Sequence, residues 1–146
     1  MDFDLARERL LSFARVIAQA EEVSLLQANG RVLAQAVPSP MDVPGFANSA
    51  MDGYAICPAS PTAVPMKLQV TQRIAAGSQG TALQPGQAAR IFTGAPVPEN
   101  TYAVIAQENV QLLEDGSVQI DKAVPEGEFV RAQGEDIAIG SDILTA

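Results

Sequence analysis

Three short segments of this sequence set reactive oxygens beside residues small enough for backbone to come close. They are "NSAMDGYA" with Asn48, Ser49 and Asp52, "FTGAPVPE" with Thr93, Gly94 and Glu99, and "VRAQGEDI" with Arg131, Gly134, Glu135 and Asp136. A glycine next to a hydroxyl or carboxylate permits close approach and turns amides toward an anion. The carboxylates of such segments can hold Mg²⁺ or act as a general base, and an arginine can clamp a phosphate. Each segment also has an ordinary reading. Asp-Gly is a common turn in which Asp52 bonds nearby amides, Thr-Gly-Ala-Pro a common loop, and Gly-Glu-Asp a solvated corner. Glu108 in "AQEN" reads more simply as a solvated strand residue, Arg90 and Arg131 as surface ion-pair partners, and Cys57 as a small buried side chain.

Composition narrows the chemistry. The 146 residues contain no His, which removes Ser-His-Asp and Cys-His arrangements, imidazole bases and the usual zinc sites. What remains is oxygen chemistry: carboxylates, hydroxyls, arginines, backbone amides and a hard metal ion. With 17 acidic against 9 basic residues the net charge is −8, and no basic stripe offers a surface to nucleic acid or anionic membrane. No apolar run is long enough to span a bilayer. The acidic, amphipathic start "MDFDLARERLL" is unlike a signal peptide, and the lone Cys57 agrees with a reducing compartment, so a cytoplasmic protein is expected.

The elements that must position these groups change character along the chain. "DFDLARERLLSFARVIAQA" predicts a helix capped by Asp4, with Leu10, Phe13, Ala14 and Ile17 on one face. A second, shorter helix is expected around Leu26 to Ala36, with Gly30 inside it against a close neighbour, ended by Pro38 and Pro40. After Tyr54 come short β-like runs. "MKLQVTQRI" alternates, with Leu68, Val70 and part of Thr71 to Ile74 on one face, and "AARIFTG", "YAVIAQENVQLL" and "SVQI" follow. "LLEDGSVQI" predicts a hairpin with Asp115-Gly116 supplying positive φ. Helical at the start, β in the middle and irregular at the end fits an inserted β module or two consecutive domains; periodicity does not choose between them.

The order and length of "PMDVPGFANSAMDGYA", with "RIFTGAPVPENTYAVIAQE" and "VRAQGEDIAIGSDIL" after it, resembles the molybdopterin molybdenumtransferase family, the MoeA-like proteins and gephyrin E domain. The resemblance runs from about Val23 to the end. It implies an α+β, β-rich fold: an elongated helix-and-strand dimerisation domain of residues 1–44 and 127–146, with a small β-barrel-like domain, 45–126, inserted. It also implies completion of molybdenum cofactor assembly, in which adenylylated molybdopterin is hydrolysed and molybdate inserted at its dithiolene with Mg²⁺. Asp52, Thr93 and Asp136 carry over as cleft residues with catalytic roles, Asp52 also as a metal ligand, and Ser49, Arg131 and Glu108 as substrate contacts. The implied partners are a second copy of the chain, the molybdopterin adenylyltransferase and apo-molybdoenzymes.

Family members continue into a larger α/β domain, so the resemblance matches their N-terminal region and turnover by this chain alone is not expected. A non-catalytic dimerisation or scaffold module, and a stand-alone metal-assisted phosphohydrolase using Asp52, Glu108 and Asp136, are the competing readings.

Overall fold

The computed structural model describes residues 2–15, 19–61 and 63–146. Among the described residues it is mostly β with one α-helix. In chain order the elements are α1 (Phe3–Ser12), a 3₁₀ turn (Leu25–Gln27), β1 (Val37–Pro38), β2 (Asn48–Ser49), β3 (Gly53–Cys57), β4 (Met66–Ile74), β5 (Gln87–Ile91) and β6 (Ala103–Ala106). A 3₁₀ turn (Gln107–Asn109) then leads to β7 (Gln111–Leu112), β8 (Val118–Ile120), β9 (Val130–Arg131) and β10 (Asp142–Leu144). The chain falls into two compact units, one of residues up to Val37 with Leu144–Ala146, the other Pro38–Ile143.

In the first unit the helix is shorter than its periodicity predicts. It follows Asp2, with Asp4 inside the first turn rather than capping, and it ends at Ser12; Ile17 lies outside the described residues. No residue of α1 is buried, and Leu10 and Phe13 are 72% and 79% exposed, so the apolar face has no covering among the described residues of this unit. The second predicted helix does not form. Only Leu25–Gln27 makes a 3₁₀ turn, because Gly30 sits at φ +79°, a left-handed conformation that ends a helix instead of continuing one. Arg31 pairs with Glu21 across that turn.

The second unit is built on a six-stranded sheet in the order β6-β3-β5-β4-β8-β7. β4 and β5 run parallel, and the other neighbours antiparallel. The two edge strands, β6 and β7, are separated in sequence only by residues 107–110. A flat six-stranded sheet is roughly 24 Å from edge to edge, while the link from Ala106 to Gln111 reaches at most about 17 Å. The sheet therefore curls until its edges approach.

Each face carries its own aliphatic core. Ile56, Leu68, Ala88, Ile105, Val118 and Ile120 fill one, and Ala55, Ile74, Leu83, Ala89, Ile91 and Val104 the other. The predicted alternation of "MKLQVTQRI" holds only as far as Val70. Pairing with β5 shifts by one between Val70 and Gln72, a bulge at Thr71. Because side chains alternate with period two, one extra residue exchanges the faces. Leu68 thus joins the first core and Ile74 the second, which strict alternation would have put together. The "LLEDGSVQI" hairpin forms between β7 and β8, with Gly116 alone supplying positive φ (77°).

Candidate functional site

The three oxygen-bearing segments meet on β2. On one side β2 pairs with β9, Asn48 opposite Arg131 and Ser49 opposite Val130, and the Ala50 amide donates to Phe129 O at 2.9 Å. On the other side the "TGAP" loop is laid along it. Gly94 N donates to Ser49 O (2.8 Å), Ser49 N to Ala95 O (3.0 Å) and Val97 N to Ala47 O (3.1 Å). Short residues make this three-way ladder possible, since small side chains let three backbones lie side by side.

Asp52 sits where that ladder gives way to the large sheet. The Asp-Gly pair is not a turn here: Gly53 starts β3, between Ile91 of β5 and Ala106 of β6. A Cβ on Gly53 would lie 1.9 Å from Ile105 O, so only glycine fits. The chain is thereby fixed on both sides of an exposed carboxylate, whose own carbonyl accepts from Gln107 N at 3.0 Å. Thr93 reaches Asp52 Oδ1 twice, through its amide and its hydroxyl, both at 2.8 Å. The amide bond first, and then the hydroxyl bond, hold the Asp52 carboxyl below the usual carboxylate range against an opposing desolvation, with a lesser contribution from the Arg90 charge. Asp52 Oδ2 has no hydrogen-bond donor among the described residues.

Arg90 is a functional neighbour that reads from sequence as a simple surface arginine. Its Nη1 donates to Gly53 O (2.7 Å) and Ile91 O (3.2 Å), and its Nη2 to Gln107 Oε1 (2.5 Å). It therefore knits together the strand ends that carry Asp52. No local signal marks it, because Gly53 and Gln107 come from β3 and from the 3₁₀ turn after β6, both distant in sequence.

The "GEDI" loop is held by a second residue that the motif reading passes over. Asp42 Oδ1 accepts from Ile139 N (2.7 Å) and Oδ2 from Gln133 Nε2 (2.6 Å), and these bonds, the Ile139 amide foremost, depress its pKa. Around it Val43 N donates to Ile137 O (2.7 Å) and Gly134 N to Pro44 O (2.9 Å). Its place in "PMDVP", at the start of the recognised segment, was the available signal.

The remaining expected site residues fall in different places. Arg131 Nη2 donates to both oxygens of Asp136, at 2.7 and 2.6 Å, and Arg131 Nε lies 3.6 Å from Glu135. Both Arg131 and Asp136 stand at the ladder, engaged with each other. Ser49, expected as a substrate contact, lies within the ladder opposite Val130. It is fully buried, and its hydroxyl donates to Met51 O at 2.6 Å while accepting from Met51 N at 3.3 Å. Glu108 lies exposed on the 3₁₀ turn after β6. It lines a cavity of about 460 Å³ with Lys122, Glu128 and Phe129, in which neither Asp52 nor Asp136 takes part.

Among the described residues no three carboxylates or cysteines gather as a metal-ligand set, so a phosphohydrolase centre of Asp52, Glu108 and Asp136 is not assembled. Mg²⁺ still suits the donor set in one way. It commonly takes one or two carboxylates and completes its shell with water and substrate phosphate. Asp52 Oδ2, beside the oxygen that Thr93 bonds, could offer such a single ligand.

A family model described as MoeA N-terminal region (domain I and II) matches residues 1–146. The chain is 36% identical to the molybdopterin molybdenumtransferase of Synechococcus elongatus and 37% identical to that of Haemophilus influenzae, covering 99% of this chain in each case. It spans 37% and 36% of the length of those relatives. The molybdopterin biosynthesis MoeA protein of Pyrococcus horikoshii superposes with a TM-score of 0.86 at 32% identity, over 97% of this chain and 38% of that one.

Proposed function

Since this chain belongs to the MoeA N-terminal region family, we propose that it supplies the Asp52–Thr93 side of a molybdopterin molybdenumtransferase active site. The reaction is release of AMP from adenylylated molybdopterin and insertion of molybdate at the dithiolene. The observation that carries this reading is the pair of bonds from Thr93 to one oxygen of an exposed Asp52. They fix the carboxylate's orientation and its charge and leave the second oxygen open. Asp52 Oδ2 would be the protein's ligand to a Mg²⁺ ion, and that ion, when bound, would supply neutralising charge for the substrate's phosphates. Asp52 fixes the position of that charge, Thr93 fixes Asp52, and the Arg131–Asp136 pair borders the same ladder and is available to an anion that displaces Asp136.

In this reading residues 1–44 and 127–146 form the elongated dimerisation domain and 45–126 the inserted β domain. The antiparallel course of the entering and leaving segments supports it. Ser39 N donates to Ser141 O (2.8 Å), Val43 bridges Ile137, and β2 pairs with β9. The catalytic cleft is completed by the α/β region of a partner copy, so the chain alone is inactive. The molybdopterin adenylyltransferase would deliver the substrate, and apo-molybdoenzymes would receive the product, in the cytoplasm.

The test joins residues 1–146 to the remaining region of the Haemophilus influenzae relative and measures AMP release and molybdenum insertion. The chimera turns over, and Asp52→Asn abolishes turnover with only a small fall in melting temperature, because Asn Oδ1 still accepts both Thr93 bonds and only the charge is lost. An active Asp52→Asn chimera would place Asp52 among structural residues and remove this reading.

A dimerisation or scaffold module is the second reading, favoured by the bare apolar face of α1 with Phe3, Leu10 and Phe13 exposed. Both readings expect self-association of the chain. A strict monomer by light scattering at high micromolar concentration counts against both, whereas a dimer whose chimera never turns over leaves the scaffold alone.

A further inference from the structure

The bulge at Thr71 does more than move Ile74 between cores. It also turns Arg73 to the face of the sheet that carries Arg90 and Tyr54, with Arg73 paired to Arg90 and Arg90 to Tyr54. Phe92, just beyond the end of β5, receives both guanidiniums, Arg73 at 4.5 Å and Arg90 at 4.6 Å from its ring centre. Arg90 lies in addition 5.3 Å from the Tyr54 ring.

The two arginines are spent differently. Arg90 gives its Nη groups to Gly53 O, Ile91 O and Gln107 Oε1. Arg73, exposed at the surface, has neither a hydrogen bond nor a carboxylate partner among the described residues. In a chain with net charge −8, an unpaired arginine set beside another arginine is the reverse of what charge balance favours. Like charges in neighbouring register positions repel, and the ring offsets only part of this. The residue after Phe92 is Thr93, which bonds Asp52, and Arg90 Nη1 bonds the carbonyl of Gly53, the residue after Asp52, so the pair adjoins the carboxylate already described. Bulges recur where a side chain must be re-aimed beside a site.

We propose that Arg73, supported by Arg90 and Phe92, binds a phosphoryl group of the ligand that meets Asp52 and Thr93. The guanidinium supplies planar, paired donors suited to a tetrahedral oxyanion, and the Phe92 ring holds it in orientation before the ligand arrives. A phosphoryl group placed here neutralises the Arg73–Arg90 repulsion. The Asp52 carboxylate would repel the same group unless a cation intervenes, so binding should strengthen with Mg²⁺. This goes beyond the proposed function and rests on it only for the identity of the whole ligand.

The experiment uses the 146-residue chain and follows amide shifts during titration with AMP and with inorganic phosphate, with and without Mg²⁺. Losing a charge-assisted bond weakens binding by about tenfold, so Arg73→Gln should weaken AMP binding by at least that factor. Arg73→Lys should retain part of it, and Lys67→Gln, which removes a charge elsewhere on β4, should change nothing. Shifts should centre on Phe92 and Thr93 and fade as salt rises. Equal binding by wild type and Arg73→Gln overturns the proposal. So does absence of binding at millimolar AMP, or a response to molybdate but to neither phosphate probe. None of these results uses the insertion reaction, so failure here leaves the Asp52→Asn test standing separately.

Discussion

Replacing Gly53 by Ala tests whether close strand packing is what holds Asp52 in place. The added Cβ would stand 1.9 Å from Ile105 O and 2.7 Å from Ile105 C. An ordinary C···O approach is about 3.3 Å, so β3 and β6 must separate by roughly 1.4 Å or lose their pairing. The obstacle is backbone, which cannot rotate aside as a side chain can. Overpacking of a core costs about 1–3 kcal/mol, and a backbone obstacle puts this substitution at the upper end. At about 2–4 °C per kcal/mol for a chain of this size, the melting temperature should fall by roughly 10 °C. The change is also local, because Gln107 N donates to Asp52 O immediately beyond the Gly53–Ala106 pair. Hydrogen exchange at the Gln107 amide should therefore accelerate more than exchange in β8. Gly45→Ala is the control, since its Cβ would meet nothing closer than Asp42 O at 3.9 Å. A Gly53→Ala protein melting within 2 °C of wild type, with Gln107 still protected, would refute the reasoning.

Two other outcomes follow from the carboxylates. Asp42→Ala removes the acceptor for Ile139 N and Gln133 Nε2, so the Ile139 amide should exchange faster while amides in β5 stay protected. Unchanged exchange at Ile139 would count against Asp42 as the clamp of the "GEDI" loop. The second outcome concerns acid. Asp42, Asp52 and Asp115 all have depressed folded-state pKa values, Asp115 through Lys67 and then Ser117. A group with a lowered folded pKa contributes stability above its unfolded value, near about 4 for Asp, and loses it as pH falls toward the folded value. The urea midpoint should therefore be level from pH 5 to 7 and decline below pH 4, less steeply in Asp52→Asn. A midpoint independent of pH between 2 and 6 would contradict these bonds.

Local chemistry in the sequence determined a good part of this protein. The absence of His and the three oxygen-bearing segments restricted it to carboxylate, hydroxyl and arginine chemistry. The alternation through Val70 and the Asp-Gly turn of the β7–β8 hairpin were legible because they depend on neighbours a few residues apart. Other features waited on tertiary structure. The helix expected at Leu26–Ala36 failed on the left-handed Gly30, and the face of α1 gained no cover from the described residues of its own unit. Asp52 is bonded to Thr93, 41 residues away, and Asp42 to Ile139, 97 residues away, so their roles are set by which strands meet. Ser49 looked reactive by type, but the ladder of the three segments buries it. The bulge at Thr71 shows the reason most directly. Strand periodicity is a property of one segment, whereas register is a property of two, and a shift of one residue between β4 and β5 put Ile74 into one core and Arg73 beside Arg90 on the other face.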